Sequence, residues 1–289
     1  MNNDFPTVNM QAPKYLNLGC GTRHHPDWIN IDIASRGPGI IQHDLSQGIP
    51  LPDSSCDVVY HAAVLEHMHR SGAEAFMAEC FRVTKPGGIV RIAVPDLEKI
   101  CQLYLFKMNA ALNGDELAAS DYDWLMLELF DQSVREKSGG EMLNYLQQNP
   151  LPNETFVYER IGEEGRQLVK NLQKKESHGR LNFPSFSKLI RGLRVLSRVV
   201  SYRLPKLLIC SSDRRALEIG RFRLSGEVHR WGYDRYSLAR LLRLTGFQDP
   251  QLRDAKTSKI INWTRFNLDT LPDGTIIKPD LFFMEAIKP

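Results

Sequence analysis

The sequence predicts a doubly wound α/β protein, a mostly parallel sheet fed by βαβ units. Three observations carry that expectation. Residues 15–32, YLNLGCGTRHHPDWINID, read as a short apolar strand, a glycine turn, a second strand and a terminal carboxylate, Asp32. Short apolar runs then alternate with helix-period patterns from residue 40 to 96, the signature of parallel strands joined by crossovers. The same rhythm returns near the carboxyl terminus, where an amphipathic helix precedes the apolar run LFFMEAI.

The opening strand, Tyr15-Leu16-Asn17-Leu18, runs straight into Gly19-Cys20-Gly21. Glycine lets the backbone approach a ligand and take dihedrals that a Cβ forbids. The second run, Trp28-Ile29-Asn30-Ile31, ends on Asp32, where a carboxylate can accept both hydroxyls of a ribose. A dinucleotide fingerprint would place a third glycine at His24, open a full helix and put its acid about 20 residues on. Here Pro26 interrupts a connection too short for such a helix, and no good helix N-terminus is left for a pyrophosphate. The pattern points away from NAD and FAD and toward a ligand with a ribose but no phosphate; S-adenosylmethionine (SAM) is one. A plain β-turn-β in some other α/β protein is the alternative.

The chain of 289 residues suits one large domain or a core with an insertion. Its composition, 42% hydrophobic and 25% charged, is that of a soluble globular protein, and no apolar run is long enough to span a membrane. The first ten residues lack the regions of a signal peptide. Five cysteines without a C-x-x-C pair fit a reducing compartment, so a cytoplasmic protein is expected. No metal site is expected: His24 and His25 are adjacent, and neither H-x-x-x-H nor a paired carboxylate cluster occurs.

The next elements follow in order. Ile40-Ile41-Gln42 is a short strand ending in His43-Asp44-Leu45, and the run CDVVY at 56–60 is another, opening into His61-Ala62-Ala63-Val64-Leu65-Glu66-His67-Met68. A helix over 72–83 buries Ala73, Phe76, Met77, Cys80 and Phe81, and Lys85-Pro86-Gly87-Gly88 stops it. The strand 89–94 ends in Pro95-Asp96, a helix starts near 236, and strands are expected at 251–255 and 281–287.

L-N-L-G-C-G, W-I-N-I-D, the K-P-G-G turn before strand five and the closing H-R-W-G-Y-D-R-Y-S-L together resemble class I SAM-dependent methyltransferases of the methyltransferase type 11 kind. Within that class the resemblance is to enzymes of bacterial surface-polysaccharide synthesis. It covers roughly residues 14–97 and 227–288. It implies a Rossmann-like, seven-stranded sheet whose last strand is antiparallel, with residues 1–97 and 226–289 as the core and SAM as the cofactor. It also implies cofactor contacts from Asn17 (where the family usually has an acid), Gly19, Cys20, Gly21, Asp32 and Ile33, from Asp44 and Leu45 beside the adenine, and from Ala62, Ala63 and His67 after strand four.

Residues 98–225 are too long for a loop and read as a helical subdomain, with candidate helices at 98–112, 121–137, 141–148 and 153–175. In this family such a cap selects the acceptor. Between residues 180 and 225 eleven Lys/Arg face two acids, a local +9 within an overall +3, so the remainder is six units negative. Residues 186–204 form a basic amphipathic pattern that suits an anionic membrane surface, a phosphate-bearing acceptor or a solvated outer face. Aromatic residues for stacking on bases are sparse there, which makes nucleic acid the weaker partner.

Methyl transfer needs alignment of donor and acceptor, and an alcohol acceptor also gains from a general base. Candidate bases are His67 after strand four, Asp96 at the end of strand five, Asp131 on the second insertion helix, and His229 in the polar, glycine-bearing run GEVHRWGYD. The expected acceptor is a small molecule or glycan, most simply a hydroxyl of a sugar or of an anionic glycan precursor. A small natural product, a nucleic acid, or a non-catalytic SAM-binding role at a membrane or partner are the rivals.

Overall fold

The computed structural model describes residues 13–34, 37–177 and 211–289. The basic amphipathic run 186–204 lies outside them. The chain forms two compact units, Met1–Cys101 with Arg230–Pro289, and Gln102–His229.

The first unit is a seven-stranded sheet. Its strands are β1 (Tyr15–Leu18), β2 (Trp28–Asp32), β3 (Ile40–Gln42), β4 (Cys56–Ala62), β5 (Thr84–Pro95), β6 (Gln248–Arg253) and β7 (Leu281–Ile287). They lie in the order β3-β2-β1-β4-β5-β7-β6, and β7 runs antiparallel to both neighbours. This is the Rossmann-like arrangement that the resemblance implied. The chain steps outward from β1 to β3 and then restarts at β4 on the other side of β1, so connections leave the ends of β1 and β4 in opposite directions. Such a switch point opens a crevice at the carboxyl ends of the strands.

Alternation along the strands sorts the two faces. Leu16 and Leu18 of β1 and Val90, Ile92 and Val94 of β5 pack with α1 (Arg70–Val83) on one face. Leu238, Leu241 and Leu242, from the helix Arg235–Leu244, join the same cluster. The opposite face carries Trp28, Val58 and Tyr60 under Ile260, Trp263, Phe266 and Leu268. Arg91 projects from β5 into this second face and is fully buried, with its guanidinium 2.9 Å from both Asp269 and Glu285 and 4.4 Å over the Trp263 ring. The Tyr60 hydroxyl donates to Asp269 at 2.6 Å.

The K-P-G-G turn departs from expectation. Rather than lying between helix and strand, it belongs to β5, which begins at Thr84. Gly88 needs to be glycine because a Cβ there would meet the Asp57 carbonyl at 3.0 Å, where β4 and β5 converge.

The second unit is helical. It contains α2 (Leu97–Leu112) from Gln102 onward, α3 (Glu116–Met126), a π-helical turn (Leu127–Asp131), α4 (Gln132–Val134), α5 (Gly140–Leu146), α6 (Glu154–Ser177) and α7 (Ser211–Arg223). Trp124, Leu146, Leu151, Val157 and Val169 form its core. The expected single helix over 121–137 is broken by the π turn, and α6 carries a non-helical Gly162 (φ 62°). Among the described residues, no helix is long and apolar enough to cross a membrane.

Candidate active site

The glycine turn after β1 is built by local hydrogen bonds. The Gly19 and Cys20 amides donate to the Ile31 carbonyl at 2.8 and 3.2 Å, which locks the turn to the end of β2. Gly19 has φ +64°, and a Cβ on it would collide with Val64 Cγ2, so the loop after β4 packs directly on this glycine. Ala63, in that loop, also has a positive φ (52°), a strained conformation for a residue with a Cβ.

Asp32 is buried at the end of β2, and each carboxylate oxygen accepts one backbone amide at 2.8 Å: Gly21 to Oδ2 and Ala34 to Oδ1. A carboxylate has about four lone-pair sites, so two bonds orient it and leave sites over for a ligand's hydroxyls. Asn17 is 1% exposed, and its amide donates to the Arg23 carbonyl at 2.8 Å and to Asn30 Oδ1 at 3.1 Å. It shapes the loop and carries no charge. Ile33 is exposed beside Asp32.

Asp44 and Leu45 follow β3. The Asp44 side chain accepts the Ser46 amide and caps the 3-10 turn Leu45–Gln47, which holds its carboxyl below the usual range. Ala62 ends β4 and Ala63 follows it, its amide donating to the Ala93 carbonyl at 2.9 Å. His67 is half-buried on the 3-10 turn Leu65–His67.

Sequence reasoning passed over Glu66 on that turn. Its main-chain oxygen accepts the amides of Arg230 at 2.7 Å and Trp231 at 3.2 Å, and the side chain is 1% exposed. Burial pushes its carboxyl pKa up to about 7. Around it, Tyr233 bridges to Asp96, and the Asp96 amide donates to the Asp280 carbonyl at 3.0 Å. The Asp96 side chain accepts the Lys99 amide at 3.0 Å and so caps α2. Asp234 forms a capping box with Ser237 at the start of α8 (Arg235–Leu244).

In the helical unit, Asp131 is 5% exposed at the end of the π turn. Its carboxylate meets Arg135 at 2.8 Å and the Glu141 amide at 2.7 Å, and Arg135 continues to Glu227 at 3.1 Å. The His229 amide donates to the Gln132 carbonyl at 3.0 Å. The core thus gathers Asn17, the glycine turn, Asp32, Asp44, Ala62, Ala63, His67 and Asp96 around the carboxyl edge of one sheet, whereas Asp131 and His229 belong to the second unit.

The sheet order with an antiparallel β7 is that of the Rossmann-like methyltransferase fold, and the acid closing β2 lies beside the glycine turn. Residues 16–92 match the family described as "Methyltransferase domain". A protein of Mycolicibacterium smegmatis described as an S-adenosylmethionine-dependent methyltransferase is 33% identical over 99 residues, a stretch spanning 28% of this chain and 37% of that relative. A SAM-dependent methyltransferase structure from Archaeoglobus fulgidus aligns over 96% of this chain and 86% of its own at 11% identity, with a TM-score of 0.37. A Thermotoga maritima structure described as a SAM-dependent methyltransferase, possible histamine N-methyltransferase, aligns over 97% and 84% at 10% identity, also with a TM-score of 0.37. The fold assignment rests on the strand order itself.

Proposed function

We propose that the chain binds SAM in the crevice between the ends of β1 and β4 and transfers its methyl group in line to a hydroxyl of a sugar or anionic glycan precursor. One observation carries the cofactor part: Asp32 is oriented by two amides with acceptor sites to spare, beside the Gly19–Gly21 turn. The acceptor part is supported by the local +9 of residues 180–225, which suits a phosphate-bearing substrate. The sulfonium is a good, neutral-leaving donor, so the protein's main task is alignment. His67, on the turn after β4, serves as an acceptor-side group in this reading, and His229 is the candidate base that the helical unit offers.

Calorimetric titration with SAM tests the first part. Asp32→Ala removes a charged acceptor worth about 1.5–3 kcal/mol, so SAM affinity should drop by roughly 10- to 100-fold. Equal affinity for both proteins would disprove the ribose placement. Transfer of radiolabelled methyl to nucleotide sugars and phosphorylated glycans tests the second part. SAM binding without label on any hydroxyl acceptor would remove that substrate class.

A further inference from the structure

Among the described residues of this core, Glu66 is the buried carboxyl that no other residue hydrogen-bonds: it is 1% exposed, and only its own main-chain amide lies against a carboxyl oxygen. Buried polar side chains are nearly always bonded, and an exception at a strand end points to a missing ligand group. The other acids at the strand ends are already engaged, Asp32 by Gly21 and Ala34, Asp44 by Ser46, and Asp96 by Lys99. The position of Glu66 is set rigidly, because the Arg230 and Trp231 amides both hold its main-chain oxygen and Val64, two residues earlier, packs against Gly19. The titratable groups that face it in the core are Lys278 and Asp280, which act on it in opposite senses, Tyr233, whose hydroxyl is held protonated by burial and by Glu66 itself, and His67, with a ring nitrogen within 4.8 Å of a Glu66 carboxylate oxygen. His67 follows it on the same turn.

We propose that Glu66 takes the proton of the acceptor hydroxyl, and that its carboxylate forms when the sulfonium cation of SAM enters the crevice. This rests on the methyltransferase reading above and names the proton acceptor and the acceptor class, a neutral group that sheds a proton on methylation. The charges balance at each stage. With SAM bound, a sulfonium and a carboxylate share the low-dielectric site. On transfer the C–O bond forms, the C–S bond breaks with its electron pair left on sulfur, and the hydroxyl proton moves to Glu66. A thioether, a methyl ether and a neutral carboxylic acid remain, so no net charge is stranded in the interior before or after the step.

The prediction can be read without knowing the acceptor. An opposite charge within a few ångströms lowers a carboxyl pKa by about one to three. The Glu66 carboxyl, burial-shifted to about 7, is mostly protonated at about pH 6.5 in the empty protein and ionised with SAM bound. Calorimetry at that pH in two buffers of different ionisation enthalpy should therefore show release of about half a proton or more with SAM. S-adenosylhomocysteine has the same ammonium and carboxylate but no sulfonium, and should release almost none. In Glu66→Gln the SAM-specific release should vanish and SAM affinity should fall roughly tenfold relative to S-adenosylhomocysteine. Unchanged S-adenosylhomocysteine binding by that variant reports an intact pocket. Equal proton release with the two nucleosides, or the same release from the variant, overturns the assignment of Glu66. If neither nucleoside binds the wild-type protein, the methyltransferase reading itself falls, and this assignment with it.

Discussion

Replacing Glu66 by Gln should change how stability depends on pH. The folded carboxyl titrates at about 7 against 4.5 for the unfolded chain, because burial disfavours the charged form. A raised folded pKa means the folded state holds the proton more tightly. The stabilisation is therefore complete below about pH 4.5 and is lost as pH rises through about 7. A gap of about 2.5 at 1.36 kcal/mol each amounts to about 3 kcal/mol, spread over that window at roughly 1.4 kcal/mol per pH unit. Gln keeps the shape and cannot ionise, so the variant lacks this term. Urea denaturation of both proteins at intervals from about pH 4.5 to 8.5 would give the difference in unfolding free energy directly. It should move by about 3 kcal/mol in the variant's favour as pH rises. Other titrating groups cancel in the comparison. A difference that stays constant with pH would show that Glu66 is ionised and compensated in the folded protein, and the reasoning about its burial would be wrong.

Two further substitutions probe the two faces of the sheet. His61 is fully buried against Phe76, neither ring nitrogen is bonded, and burial depresses its pKa from 6.5 to about 3. The unfolded chain therefore takes up this proton first, and stability is lost as pH falls from about 6.5 toward 3. His61→Leu should flatten the fall in melting temperature on that acid side; an unchanged slope counts against the assignment. On the opposite face, Arg91→Met leaves Asp269 and Glu285 buried without their shared cation and should cost about 3–5 kcal/mol by urea denaturation, with partial recovery when Asp269→Asn is added. A cost within about 0.5 kcal/mol would mean the triad adds nothing beyond packing.

Local signals were legible in the sequence, and long-range ones were not. The turn at Gly19–Gly21 and the acid at Asp32 were readable because their chemistry lies within eighteen residues of chain and depends on glycine dihedrals and strand ends. Glu66 looked like an ordinary acid on a polar turn. Residues 230–233 and 278–280 make it special, and they arrive from the far end of the chain. Arg91 was equally silent: a cation in an apolar strand is tolerable only because Asp269 and Glu285 meet it, and the stretch around Trp263 showed no periodicity to announce a covering layer. Periodicity did find the helical insertion, but a π turn shifts the apolar register by too little to register as a break at Leu127–Asp131. Asp131 read as a candidate base on that helix, and nothing in the sequence showed that Arg135 and the Glu141 amide engage its carboxylate.

A crystal structure with S-adenosylhomocysteine bound is the most direct test of the central claim. The ribose hydroxyls should lie within hydrogen-bond distance of the Asp32 carboxylate, with the nucleoside over the Gly19–Gly21 turn and the sulfur turned toward the side chain of Glu66. A nucleoside bound away from the ends of β1 and β2, or a ribose that leaves Asp32 untouched, would contradict it.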